Sequence, residues 1–242
     1  MNLLDKSNTL VIVPAYNEQD SIVSVIEEIK TTGFPFVVID DGSTDQTGVK
    51  ARAAGARTIS LPFNAGVGGS LKCGFQYAVK HGYKAVIQCD ADGQHPTKDF
   101  ESLVNHANVH SSHLVIGSRF ISDNTSMYVS KTRRFAMKML SIVAKRINQV
   151  EVTDTTSGFR LISEPLLEQF AQKFPSYYLG DTFEALNVAV SSNYSVTQIS
   201  VPFTNRTQGV SSASNTYAVS NIVKILCVQV LGLHFRIDRY TR

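Results

Sequence analysis

Short apolar runs alternate with segments of helical periodicity through the first half of the chain. Because short strands that are apolar on both faces need cover on both sides, this pattern predicts an α/β fold with a mainly parallel sheet between helices. Pro14 is expected to end the first strand and Gly33 the first helix. The predicted strands are 10–13, 36–39, 57–61, 85–89 and 113–117, and the predicted helices are 21–30, 44–54, 70–81 and 100–107.

Polar clusters directly follow three of these strands. The first strand leads into PAYNE at 14–18, the second into DDGSTD at 40–45 and the fourth into DADGQH at 90–95. In parallel α/β sheets, ligands bind beyond the carboxyl ends of the strands. We therefore expect one pocket to collect all three clusters.

The third cluster has the composition of a metal site. Asp90 and Asp92 are one residue apart, and Gln94 follows. Strand alternation would put both carboxylates on the same side of the chain, where they could reach one cation. Mg²⁺ commonly takes one or two carboxylates and completes its coordination with water and substrate phosphate oxygens. The alternative is an acidic turn that merely ends a strand.

Composition narrows the classes of protein that this chain can represent. Its 242 residues suffice for one large domain, or one domain with an appendage, and 43% hydrophobic with 18% charged residues is typical of a globular protein. A net charge of +3 gives no reason to expect a nucleic-acid partner. Three scattered cysteines without a CxxC indicate reduced thiols in the cytoplasm. We expect neither a secretory signal nor a membrane-spanning segment.

Seven short motifs occur in an order that resembles the family 2 glycosyltransferases. The last two make the chain most similar to the branch of dolichyl-phosphate mannosyltransferase and bacterial polyprenyl-phosphate glycosyltransferases. Over residues 8–212, the resemblance implies a GT-A fold, a nucleotide-sugar donor, a divalent metal and inversion at the anomeric carbon. Residues 1–212 would form this domain and 213–242 a C-terminal amphipathic helix. The motifs are PAYNE at 14–18, DDGSTD at 40–45, NAGVGG at 64–69, DADGQHP at 90–96, GSR at 117–119, DTTSGFR at 154–160 and NRTQGVSS at 205–212.

The resemblance also implies which residues bind the donor. Tyr16 would offer a flat face to the base, and Ile39 and Asp41 would contact the base and ribose. Asp90, Asp92 and Gln94 would hold Mg²⁺ or Mn²⁺ on the diphosphate. The implied donor-binding residues are Pro14, Tyr16, Glu18, Ile39, Asp41, Asp90, Ala91, Asp92, Gln94, Arg119 and Arg206.

Some residues in these motifs also have purely structural interpretations. Asn17 can cap the helix that follows PAYNE. The glycines of NAGVGG do not fit the dinucleotide fingerprint, so we interpret 64–69 as a loop that either lets backbone approach the donor or is simply flexible. His95 flanks the metal motif and is expected only to shape its turn.

Besides Asp92, three charged residues are candidates for catalysis. Arg119 follows a predicted strand, where it could bind phosphate bidentately or lie in a solvated loop. Asp154 could touch the donor sugar, orient the acceptor or cap. Arg206 belongs to a segment that in the relatives closes over the donor and the acceptor phosphate. There Ser212 stands where relatives often carry Lys, which leaves the acceptor contact open.

Two segments indicate a membrane surface. Residues 131–147 combine helical apolar spacing with positive charges only, and residues 219–237 carry an apolar stripe with basic residues near its edges. Both could lie on anionic lipid, or they could pack on the sheet. Because relatives often carry transmembrane helices after this point, a separate small membrane subunit is another possible partner.

The predicted reaction transfers a hexosyl group from a GDP- or UDP-linked sugar to a polyprenyl phosphate, on the cytoplasmic face of the membrane. A phosphate acceptor is already anionic near neutral pH and needs no strong general base. A saccharide hydroxyl would need one, for which Asp154, Asp181 and Glu184 are candidates. A sugar-nucleotide pyrophosphorylase is a remoter alternative, because the Gly-rich loop expected after its first strand is absent. A receiver-like module is another, but the chain is too long for it.

Overall fold

The computed structural model describes residues 3–119, 152–155, 157–174 and 181–203. Arg206 and the segments 131–147 and 213–242 lie outside the described residues. In the described part, no helix is both long and apolar enough to cross a membrane. The strands are β1 Thr9–Ala15, β2 Phe36–Asp40, β3 Thr58–Ser60, β4 Ala85–Gln88, β5 Leu114–Ser118, β6 Arg160–Ser163 and β7 Val196–Ser200. The helices are α1 Ile22–Thr32, α2 Thr47–Ala53, α3 Gly66–Lys80, α4 Phe100–His110, α5 Leu166–Gln172 and α6 Asp181–Ser191, and a 3₁₀ turn spans Thr97–Asp99.

The strands form one mixed sheet in the order β3-β2-β1-β4-β6-β5-β7. Strand β6 is antiparallel to both of its neighbours, β4 and β5, whereas the other pairs are parallel. The mainly parallel sheet predicted from the sequence is confirmed. Because β6 runs against the others, its amino end lies at the same edge of the sheet as the carboxyl ends of β1, β2, β4 and β5.

Alternation along β1 supplies both halves of the core. Val11 and Val13 face one side of the sheet, in a cluster with residues of α1 and α4. Leu10 and Ile12 face the other side, in a cluster with residues of α3, α5 and α6. All four side chains are fully or almost fully buried, and each such burial stabilises the fold by roughly 1.5–3 kcal/mol. The apolar run 10–13 of β1 therefore follows from its position between two helical layers.

Pro14 does not end β1, contrary to expectation, since the strand continues to Ala15. Backbone groups of a strand point alternately to its two neighbours, and the Ile12 carbonyl accepts a bond from the β4 side, at Cys89. The nitrogen of Pro14 points to that same side, beyond the end of β4, which pairs with β1 only as far as Ile12. The missing N–H of Pro14 therefore costs no ladder hydrogen bond.

Two helix starts also differ from expectation. The glycine-rich segment that we interpreted as a loop is instead the first turn of α3, which begins at Gly66. Helix α2 begins at Thr47 rather than at residue 44. The predicted stop of α1 is confirmed, because Gly33 adopts the left-handed conformation with φ of 76° and donates its N–H to Lys30 O.

Candidate active site

The loops after β1 and β2 are joined by hydrogen bonds that centre on Asn17. Its side-chain Oδ1 accepts bonds from the N–H of Thr44 at 2.9 Å and from the Thr44 hydroxyl at 3.3 Å. Its own N–H donates to Ser43 Oγ at 3.0 Å, and the next N–H, of Glu18, donates to Thr47 Oγ1 at 2.8 Å. Asn17 therefore joins the two loops and does not cap α1, whose cap residue is Ser21.

The residues expected to bind the nucleoside lie in contrasting surroundings. Tyr16 is exposed and Glu18 is half-buried at the carboxyl end of β1. The Ser21 hydroxyl donates to Glu18 Oε2 at 2.8 Å, which orients that carboxylate. Ile39 is fully buried in the core, and Pro14 is half-buried. Tyr16 and Glu18 are thus accessible to a ligand, whereas the side chain of Ile39 is not.

The paired carboxylates after β2 both take part in local structure. Asp40 accepts a bond from the Ser43 N–H at 3.1 Å and another from the Ser60 hydroxyl at 3.0 Å, so it shapes the turn. Asp41 Oδ1 accepts a bond from the Ala65 N–H at 2.8 Å, at the start of α3, where a negative charge is favoured. Burial raises the pKa of the Asp41 carboxyl. Asp41 therefore connects β2 to α3, a role that the resemblance did not imply.

The acidic motif lies just beyond the carboxyl end of β4. The Asp90 side chain is 38% exposed, and Asp92 and Gln94 are half-buried. The N–H of Gln94 donates to Asp92 Oδ1 at 3.0 Å, and Gly93 between them has a φ of 74°, which suits glycine. Ala91 is buried. Two partly accessible carboxylates and an amide are therefore collected in one turn.

This donor set fits a divalent cation that shares its coordination with a substrate. Within the described residues, no three His, Cys, Asp or Glu side chains come together as a metal site. Oxygen donors from two carboxylates and Gln94 suit Mg²⁺ or Mn²⁺ when phosphate oxygens and water complete the shell. The residues present thus fit a metal that binds together with a diphosphate.

Arg119 and Asp154, which we predicted as separate site residues, form a buried ion pair. The Arg119 Nε–Asp154 Oδ2 distance is 2.7 Å, and the Nη2–Oδ1 distance is 2.9 Å. Asp154 is fully buried, and the Arg119 side chain is 11% exposed. The guanidinium also lies 5.3 Å from the centroid of the Phe203 ring. Asp154 is therefore fully buried and orients the guanidinium of Arg119.

Arg160 fixes the loop that leads into β6. Its guanidinium donates to three backbone carbonyls, those of Ser157 at 2.6 Å, Thr182 at 2.7 Å and Thr155 at 3.0 Å. The Ser157 hydroxyl in turn donates to Gly117 O at 2.6 Å. These contacts hold the described residues of the 154–160 loop against β5 and the start of α6.

The same loop packs directly on the acidic motif. A Cβ atom added to Gly158 would lie 3.1 Å from Asp90 Oδ2 and 3.0 Å from Gln88 Nε2. Only glycine allows this approach without displacing a neighbour. The packing requirement at Gly158 was not predicted, because it depends on the pairing of β6 with β4.

The other two acids considered as a general base, Asp181 and Glu184, both lie on α6. Glu184 is exposed, and Asp181 is the first residue of the helix.

Solved structures share this architecture. Glucosyl-3-phosphoglycerate synthase from Mycobacterium tuberculosis superposes with a TM-score of 0.65 and 22% identity, over 92% of this chain and 78% of that one. The mixed seven-stranded sheet with its flanking helices is therefore the GT-A fold. The model of the family named Glycosyl transferase family 2 matches residues 10–170. The chain belongs to glycosyl transferase family 2 and is a glycosyltransferase.

Two relatives named for sugar transfer to polyprenyl phosphates support the expected branch. Polyprenol monophosphomannose synthase of Mycolicibacterium smegmatis is 26% identical over 96% of this chain and 89% of its own length. Undecaprenyl-phosphate mannosyltransferase of Micrococcus luteus is 28% identical over 62% of this chain and 64% of its own. An uncharacterised protein of Methanocaldococcus jannaschii is 33% identical over 67% and 68% of the two chains. The predicted similarity to polyprenyl-phosphate glycosyltransferases is confirmed.

Proposed function

We propose that this glycosyltransferase moves a hexosyl group, with inversion, from a nucleotide-diphosphate sugar to a polyprenyl phosphate. The relatives named for polyprenol and undecaprenyl phosphate support this acceptor. The observation that carries the proposal is the meeting of the acidic motif with the 154–160 loop, at Asp90 and Gly158. This contact brings a candidate metal site and the loop of the Arg119–Asp154 pair to one edge of the sheet.

Asp90, Asp92 and Gln94 would hold Mg²⁺ or Mn²⁺ against the donor diphosphate. The mycobacterial synthase with the same fold has been crystallised with Mn²⁺ and UDP, and also with Mg²⁺ and UDP. When bound, such an ion stabilises the negative charge that develops on the leaving diphosphate. Tyr16 and Glu18, at the end of β1, would line the nucleoside pocket, and the buried Asp41 would hold the end of β2 and the start of α3 beside it.

Arg119 would supply positive charge beside the phosphates. Its bonds to Asp154 engage two of the five N–H donors of the guanidinium and fix the plane of the group. Fixed donors stabilise charge better than mobile ones, because little reorganisation is needed during the reaction. Arg206, outside the described residues, would be the second cation.

The burial of Asp154 and its pairing with Arg119 favour a phosphate acceptor over a hydroxyl acceptor. Of the three acids considered as a general base for a hydroxyl acceptor, Asp154 is fully buried and paired with Arg119. An anionic phosphate needs no such base, so positioning and charge stabilisation would suffice. Glu184 is exposed, so the alternative of a hydroxyl acceptor can be tested with Glu184→Gln. With a phosphate acceptor, this variant should transfer the sugar as well as the unmodified enzyme does. If the acceptor is a hydroxyl and Glu184 is its base, transfer should be lost.

A direct test uses two acceptors that differ by one group. The enzyme should glycosylate a short polyprenyl phosphate and leave the matching polyprenol unmodified, as measured by mass spectrometry. A thermal-shift series with GDP-, UDP- and dTDP-sugars, with and without Mn²⁺, identifies the donor, because a ligand that binds only the folded state raises Tm. Equal use of polyprenol would reject the phosphate acceptor, and a donor shift independent of Mn²⁺ would reject the metal.

The acceptor also implies a location at the cytoplasmic membrane surface. Residues 131–147 and 213–242 would supply the contact, either to anionic lipid or to a small membrane subunit. Removing residues 217–242 should abolish salt-sensitive binding to anionic vesicles and leave Tm and donor binding unchanged. A collapsed Tm after truncation, together with no vesicle binding by the full chain, would mean that this segment packs on the domain.

A further inference from the structure

The guanidinium of Arg119 lies over the ring of Phe203. The distance from Arg119 Cζ to the ring centroid is 5.3 Å, within the roughly 6 Å over which an aromatic face attracts a cation. Asp154 bonds the edge of the same guanidinium, through Nε and Nη2. We propose that Phe203 is a positioning residue, which holds the face of the guanidinium while Asp154 holds its edge. The inference rests on the role of Arg119 beside the donor phosphates in the proposed function.

Strand pairing brings Phe203 to Arg119. Strand β7 runs parallel to β5, and directly after β7 the N–H of Val201 donates to Ser118 O at 3.1 Å. The two chain segments therefore leave the sheet side by side. Beyond β7 the side chains alternate, since Val201 and Phe203 are buried and Pro202 is exposed. Phe203 is thus directed inward, next to the residue that follows Ser118.

Aromatic neighbours restrict the ring of Phe203 in turn. Phe203 is 7% exposed, and its ring meets those of His95 and Phe159 edge to face, with interplanar angles of 87° and 88°. The centroid distances are 5.3 Å and 6.1 Å, in the range that aromatic pairs prefer. Because these contacts fix the ring, the ring can restrain the guanidinium that lies on it.

A ring face supports Arg119 differently from a second carboxylate. The bonds to Asp154 lie along one edge of the guanidinium, and contact on its face prevents it from tilting about that edge. A phenyl face attracts a cation through its quadrupole and carries no net charge. The attraction is stronger where water is excluded, and the Arg119 side chain is only 11% exposed. Phe203 therefore fixes the guanidinium and leaves its positive charge available to a diphosphate.

Replacement of Phe203 by pentafluorophenylalanine tests this role. Fluorination reverses the charge distribution of the ring face with little change of shape, so a side chain that only fills space should tolerate it. Calorimetric titration with UDP, GDP and dTDP, in the presence of Mn²⁺, identifies the nucleotide that binds the unmodified enzyme. The variant should bind that nucleotide roughly 3- to 10-fold more weakly, and kcat should fall by a similar factor. Tm, measured on the same samples, should stay nearly unchanged.

The same replacement at Phe34 is the matched control. Phe34 is also buried and has a cation over its ring, since Lys6 Nζ lies 5.6 Å from the centroid. It precedes β2, however, at the opposite edge of the sheet from Arg119. Its replacement should leave nucleotide affinity and kcat unchanged. Equal losses at Phe34 and Phe203 would overturn the proposal, because they would be an effect of fluorination itself.

Arg119→Lys shows whether Phe203 acts through the guanidinium. Lysine keeps a positive charge beside Asp154 but has no planar group to lie on the ring. In this background, the change at Phe203 should weaken nucleotide binding by less than about 2-fold, because coupled residues are not additive. A loss of full size there would overturn the positioning role. Unchanged binding by the folded Phe203 variant, with weaker binding by Arg119→Lys alone, would also overturn it.

Failures of the proposed function give different results. If neither the Phe203 replacement nor Arg119→Lys has an effect, Arg119 does not act on the phosphates, and both proposals about this residue are rejected. Absence of nucleotide binding by the unmodified enzyme would reject both as well. Nucleotide binding needs no acceptor, so a lack of transfer to polyprenyl phosphate would reject the acceptor and leave the test of Phe203 intact.

Discussion

Asp90 and Asp154 lie at the same edge of the sheet, but their carboxylates are in different surroundings. Asp90 is partly exposed, its backbone N–H donates to His95 Nδ1, and Gln88 Nε2 donates to its Oδ1 at 3.4 Å. Asp154 is fully buried and paired with the guanidinium of Arg119. One carboxylate is therefore available to a mobile cation, whereas the other has a permanent cation of its own.

The difference shows how a site can combine exposed and buried charge. A buried charge is tolerated only when it is paired, and removing one partner strongly destabilises the fold. A partly exposed carboxylate makes no such demand, so its substitution should affect ligand binding more than stability. Substitution in the buried pair should therefore lower the stability of the fold, whereas substitution of a partly exposed carboxylate should lower activity and leave stability nearly unchanged.

Removing the charge of Asp154 should have the largest effect on stability. Asp154→Ala leaves Arg119 buried without its partner, and we expect the free energy of unfolding to fall by about 3–5 kcal/mol. Chemical denaturation monitored by circular dichroism measures this change. The double variant Arg119→Met, Asp154→Leu should recover most of the stability, because no charge remains buried, and should still fail in transfer. If the single variant loses less than about 1 kcal/mol, the pair is not buried in solution.

Substitution of Asn17, in the part of the site expected to bind the donor, should lower the free energy of unfolding by a smaller amount. Asn17→Ala removes the bonds to Thr44 and places alanine at a φ of 54°, so we expect a loss of about 1.5 kcal/mol. Asn17→Gly removes the same bonds without the backbone strain and should lose about half as much. Equal losses in the two variants would show that the left-handed conformation of Asn17 contributes nothing. Donor affinity should weaken in both.

Gly158→Ala tests the contact between the 154–160 loop and the acidic motif. Its Cβ would press on Asp90 Oδ2 and Gln88 Nε2, both of which are side-chain ends that can shift by a few tenths of an ångström. We therefore expect a stability loss of only about 1 kcal/mol, with weaker Mn²⁺ binding because Asp90 is displaced. Gly158→Val should enlarge both effects. Unchanged Mn²⁺ titrations in both variants would separate the 154–160 loop from the metal site.

Asp92→Asn should have the smallest effect on stability and one of the largest on activity. The side chain lies in a partly exposed turn, so the free energy of unfolding should change by less than about 0.5 kcal/mol. Transfer should nevertheless be abolished, because a charged metal ligand is lost. Measuring unfolding and transfer on the same preparation makes the contrast with Asp154 direct. Normal transfer by this variant in metal-free buffer would end the metal hypothesis.

The features predictable from the sequence were those that depend on neighbouring residues. Apolar runs predicted β1, β2, β4 and β5, and Gly33 predicted the end of α1, because strand and helix patterns are local. The position of the acidic motif beyond β4 followed from the parallel sheet. Pro14 was misjudged because its effect depends on where the neighbouring strand β4 ends.

The features that could not be predicted depend on contacts between distant residues. No local pattern in residues 160–163 indicates that they form an antiparallel strand between β4 and β5. Arg119 and Asp154 are separated by 35 positions, so their pairing becomes visible only in the fold. The role of Asn17 likewise depends on Thr44, which belongs to another loop.

The end of β5 lies beside the point at which the described chain resumes at residue 152. Ser118 Oγ and Thr153 Oγ1 are 2.8 Å apart, so the chain leaves the sheet after residue 119 and returns to the same place near residue 152. The two ends of the stretch between them are therefore held together in space. For a flexible loop, each doubling of length costs only about 0.6 kcal/mol of closure free energy, so a change in the length of this stretch should leave the sheet and the donor side unchanged.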